Sequence, residues 1–145
     1  MEAVIVGSNF MGLVALYQWK HHSPIKACVL MATASSVLQH VSEFERWQTM
    51  TLMLWIDRAS AIALALSIAA TFVYHGIASQ LVTPYRCAVL VVALSLCGAC
   101  DLGLVGTYLT MSYGIVHSTW HILIFYYVSI IATVYKSLVY GERCA

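Results

Sequence analysis

An all-α bundle of membrane-crossing helices is what this sequence predicts, on three grounds. Hydrophobic residues make up 61% of the 145 positions and charged residues 9%, against about 45–50% and about 25% in soluble domains. Mean hydropathy is +0.84. Apolar runs near the roughly 20 residues needed to cross a hydrocarbon core recur five times, with short connections between them. A soluble domain of this size buries only about two-thirds of what its unfolded chain exposes. A soluble enzyme and a secreted disulfide scaffold are therefore excluded. Net charge +1 leaves no electrostatic footprint for phosphate, so nucleic acid is excluded as a partner.

The first predicted span runs from about Ala3 to Trp19 and the second from Pro24 to about Val41. Ser23-Pro24 and Thr83-Pro84 each set a capping hydroxyl before a proline at the first helical position, where its missing N–H costs nothing. The third span runs from about Met50 to Tyr74, and small residues such as Ala59, Ala63 and Ala70 predict close helix packing on it. The fourth runs from Pro84 to about Cys100 and the fifth from about Ile115 to Leu138. Between these two, residues 101–114 are apolar and punctuated by glycine. They either extend the fourth span or form an interfacial turn.

Basic residues in short loops set orientation. Lys20, Lys26, Arg86, Lys136 and Arg143 fall on one side, and Glu2, Glu43, Glu45, Arg46 and Asp101 on the other. The expected topology has a lumenal or extracellular N-terminus and a cytoplasmic C-terminus. Glu2 and the lack of a basic leading region speak against a cleaved signal peptide.

Ionisable residues within spans are costly and mark function. In this topology His40 and Ser36 end span two, Asp57 lies about two turns into span three, and His117 and His121 open span five. All five share one depth in the outer half of the bilayer. His117 and His121 are four apart, so both imidazoles face one way and can bind one ion. Three histidines with an open fourth position make a catalytic zinc site, which lowers the pKa of bound water to about 7. Asp57 would take a proton from that water or orient it, and Ser36 would hydrogen-bond a ligand or a developing oxyanion. The same residues also suit a plain polar clasp between helices.

His117-Ser118-Thr119-Trp120-His121, followed by Ile-Leu, resembles the H-S-x-W-H signature in the last helix of the CREST membrane proteins. That superfamily holds alkaline ceramidases, the progestin and adipoQ receptors and the myomaker-like transmembrane-8 group, and the string is most similar to the last of these. Ser36-x-x-x-His40 resembles the superfamily's early S-x-x-x-H, and Asp57 its aspartate in the next helix. The resemblance covers spans two, three and five. It implies zinc held by His40, His117 and His121, with Asp57 as partner of the zinc-bound water and Ser36 in support. It also implies a lipid amide or ester as substrate and a seven-helix fold. About 60 residues separate Asp57 from His117, too few for that pattern's three intervening helices. The chain therefore reads as a version shortened by about two helices.

Two functions from different classes follow. One is a zinc-dependent intramembrane hydrolase of a lipid acyl amide or ester. The other is a non-enzymatic multi-pass protein, receptor-like or membrane-remodelling, that keeps the metal or polar cluster as a clasp. Cys97-Gly98-Ala99-Cys100 is expected to pack rather than to react. His75 falls at the opposite end of span three and is left out of the site. Arg58 is expected to pair with Asp101 or Glu45, or to reach outwards.

Overall fold

The computed structural model describes residues 5, 7–19, 23–45, 48–106 and 110–141, with the backbone alone for Ser23 and Phe44. Glu2, Lys20, Arg46 and Arg143, used above for orientation, lie outside the described residues, as does the expected capping hydroxyl of Ser23. Among the described residues all regular structure is helical. The helices are α1 (Met11–Gln18), α2 (Ser23–Phe44), α3 (Met50–Tyr74), α4 (Pro84–Asp101) and α5 (Met111–Tyr140), with a 3-10 turn at Ala78–Leu81 before α4.

Three helices, α3, α4 and α5, are long and apolar enough to cross a membrane. The two others differ from the expected spans for physical reasons. The first is interrupted: residues 7 and 8 are helical, Asn9 and Phe10 form a turn, and α1 starts only at Met11. Ser8 Oγ and Asn9 Nδ2 both donate to the Ile5 carbonyl, and the next amides bond three residues back rather than four. Polar side chains that compete for backbone carbonyls in this way break a helix. The eight residues of α1 span only about 12 Å. Helix α2 has 22 residues, but Lys26, Ser35, Ser36, Gln39, His40 and Ser42 keep it outside the apolar set.

The remaining ends follow from capping. Thr83 Oγ1 accepts from Arg86 N at 3.4 Å, with Pro84 at the first position of α4. The stretch after Asp101 is a turn. Gly103, at φ 68°, takes the left-handed conformation that lets its N–H reach Cys100 O at 3.0 Å while Leu104 N reaches Ala99 O at 2.9 Å. Helix α5 starts at Met111, four residues before the expected Ile115, because Thr110 Oγ1 accepts from Tyr113 N.

Helix α3 packs along α2, α4 packs along α5, and α1 lies against both α5 and α2. Helix α3 buries Ser60, Leu64, Ile68 and Phe72, one residue per turn. Ala59, Ala63 and Ala70 lie on the exposed side instead, so they do not provide the expected packing face. The apolar core gathers Ala15, Trp19, Ile25, Val29, Leu64, Phe72, Phe125, Val128, Ile131 and Tyr135. The Trp19 indole N–H is satisfied by Val128 O at 3.3 Å. Cys100 packs with Ile5 and Tyr113 in a small second cluster, a structural use of the cysteine as expected. Large apolar side chains such as Trp55, Ile62, Leu66, Val91, Leu94 and Ile122 face outwards. Hydrocarbon suits such a surface and water does not.

Candidate metal centre

The core fills the half of the bundle around Trp19 and Tyr135, and the buried polar residues fill the other half. His40 stands in the last full turn of α2, and His117 and His121 in the second and third turns of α5. Because α5 begins at Met111, both histidines lie inside the helix with their i, i+4 register fixed on one face. The structure brings all three together: one nitrogen from each imidazole lies within 4.8 Å of the other two. Ring centroids are 4.6 Å apart for His40–His117 and His117–His121, and 5.1 Å for His40–His121. His40 and His121 are 3% and 2% exposed, whereas His117 is only half-buried.

Each ring is held by a different neighbour. His40 Nδ1 donates to Glu43 Oε2 at 2.9 Å, and its Nε2 lies 3.0 Å from His117 Nε2. His121 Nδ1 lies 3.0 Å from Ser8 Oγ, and its Nε2 lies 3.5 Å from Ser36 Oγ. Tyr113 stacks on His117 at 5.0 Å, and Trp120 leans on His121 at 4.8 Å. Glu43 lies past the expected end of its span. Burial opposes its charge, yet hydrogen bonds from His40 and Gln39 and the field of His40 hold its carboxyl below the ordinary value.

No family model, curated protein or solved structure matches the chain. Chemistry has to be read from the side chains themselves. Three imidazoles are a donor set for zinc and neighbouring transition metals. Imidazoles that bind metal almost always carry a hydrogen-bonded group on the other nitrogen, and His40 and His121 have one. The third, His117 Nδ1, is buried with no partner among the described residues. These residues fit a metal ion.

Ser36 lies beside His121, as its position one turn before His40 requires. Asp57 stands outside the converging group, on the facing helix α3. Its Oδ1 accepts from Ser35 Oγ at 3.2 Å. Arg58 pairs with Asp101 at 3.0 Å, one of the two partners expected for it. His75 accepts or donates at Tyr135 Oη, 3.0 Å away, about 21 Å down α5 from His121. Sequence reasoning missed Ser8, Ser35 and Glu43. Glu43 was findable, since a carboxylate three residues after a histidine shares its helix face. Ser8 was not, because 113 residues separate it from His121.

Proposed function

We propose that this chain is a multi-pass membrane hydrolase of the CREST type, holding zinc through His40, His117 and His121 and cleaving an acyl amide or ester bond of a lipid. The observation that carries this reading is the convergence of three imidazoles within 4.8 Å, drawn from two helices, two of the rings being anchored at the nitrogen that faces away. Two of the segments that resemble the superfamily's motifs, Ser36-x-x-x-His40 and His117–His121, meet at this place with Asp57 on the facing helix, which supports the kinship. Orientation follows the basic residues: N-terminus lumenal or extracellular, C-terminus cytoplasmic, site in the outer leaflet. Bound zinc would polarise the substrate carbonyl and make a water nucleophilic near neutral pH. Asp57, held at one oxygen by Ser35, takes the proton of the attacking water. Ser36 donates a hydrogen bond to the carbonyl oxygen as charge develops there, and the proton taken by Asp57 passes to the leaving nitrogen or oxygen. Burial of His40 and His121, with His117 half-buried beside them, suits a substrate that arrives from the bilayer.

One observation favours a second reading. His40 Nε2 and His117 Nε2 lie 3.0 Å apart, within hydrogen-bond reach of each other. That contact suits a polar clasp tying α2 to α5 in a receptor-like or membrane-remodelling protein, worth about 0.6 kcal/mol. Zinc per chain in detergent, on wild type and on His117→Ala/His121→Ala, separates the two. The hydrolase reading expects near one zinc, lost in the still-folded double variant. It also expects a folded, zinc-loaded Asp57→Asn whose turnover on lipid amides and esters falls about 100-fold or more. A folded wild type without zinc leaves the clasp and removes the enzyme.

A further inference from the structure

Ser8 has one hydroxyl proton, and that proton goes to Ile5 O at 2.6 Å. Its oxygen, 3.0 Å from His121 Nδ1, is left only to accept. His121 must therefore carry its proton on Nδ1 and its lone pair on Nε2. Glu43 Oε2, placed 2.9 Å from His40 Nδ1 in ion-pair geometry, makes the same choice for His40. His117 is the exception. Its Nε2 faces the lone pair of His40 Nε2 at 3.0 Å and so donates to it, while its own Nδ1 is buried with no partner among the described residues.

We infer that Ser8 and Glu43 are the positioning residues of the metal centre: they hold His121 and His40 as Nδ1–H tautomers with Nε2 presented to an ion, and leave His117 as the one ligand whose proton must move before an ion is bound. The inference rests on the metal reading above. It brings the broken first segment into the site, since the turn at Asn9–Phe10 is what places Ser8 against α5. The proton balance is simple. Neutral His117 gives up its Nε2 proton and regains one on Nδ1, so the ring's charge is unchanged and Nε2 is free to ligate. Two of the three ligands are thus committed and one is not.

Histidine nitrogen chemical shifts of the 15N-labelled full chain in detergent, with and without added zinc(II), test this directly. Without zinc, His40 and His121 should show a protonated Nδ1 and a bare Nε2, and His117 the reverse. Zinc should convert His117 to the form of the other two. Zinc affinity, titrated against a competing chelator, should fall about 10- to 100-fold in Ser8→Ala and in Glu43→Ala. It should stay within a few-fold of wild type in Ser8→Thr and Glu43→Gln, which keep an accepting oxygen. These conservative variants also answer the case in which an alanine variant fails to fold. An Nε2–H tautomer on His40 or His121 in the folded, zinc-free wild type overturns the inference. So does unchanged affinity in both alanine variants, and in that case the zinc site itself stands. A folded wild type that takes up no zinc overturns both readings together.

Discussion

A Cβ placed on Gly12 would fall on the hydroxyl of Thr33, so α1 and α2 meet there at backbone distance. Gly12→Ala is expected to destabilise the fold by about 1–3 kcal/mol, read as a shift in detergent unfolding, with Thr33→Ala restoring most of the loss in the double variant. The Arg58–Asp101 pair is a different case. It lies on the outward side of α3 and α4, one residue past Asp57 within the candidate span, where an unpaired charge is costly. Arg58→Gln should therefore lower the detergent unfolding midpoint, and a midpoint left in place would show that water reaches the pair. At this scale the sequence yielded the three histidines, Ser36 and Asp57, because costly polar residues stand out against an apolar background. Ser8 was hidden, because a serine in an N-terminal apolar run has many uses and only the fold brings it to His121. The alanines of α3 show the converse, a small-residue stripe that is exposed among the described residues.

Helix α5, with 30 residues, is about 45 Å long, half as long again as a hydrocarbon core of about 30 Å. Its first turn is set by Thr110, and Thr110→Ala is expected to cost about 1 kcal/mol. Hydrogen exchange checks this: the amides of residues 111–114 should exchange faster in the variant, and those beyond His121 should not change. The bounds of α3 and α4 were legible to within a residue, since apolar length and the Thr83-Pro84 pair mark them. The start of α5 was not, because Gly103 and Gly106 drew the eye past the capping threonine. The break in the first span was illegible for a deeper reason. Ser8 and Asn9 end the helix by bonding back to Ile5, and such local competition does not alter the average hydropathy of a window.

Across the whole molecule, packing follows two hairpins, α2 with α3 and α4 with α5, and α1 lies between them. The triad draws His40 from the first hairpin and His117 and His121 from the second, so an ion bound there links the two. Zinc at about 100 times its dissociation constant should stabilise the folded chain by about 2.7 kcal/mol. Thermal unfolding with and without zinc measures it, and the shift should vanish in His117→Ala/His121→Ala. An all-α fold was legible at this scale from composition alone. The pairing of helices was not, because every span offers lipid a similar apolar surface and hydropathy does not say which neighbours meet.

Seventy-seven residues of chain separate His40 from His117. While the polypeptide is being made, the first hairpin is complete long before α5 exists, and during that interval His40 has neither His117 nor His121 beside it. On the metal reading proposed above, the three ligands would exist as a set only once α5 has docked beside α2, so uptake of an ion would report that late docking step.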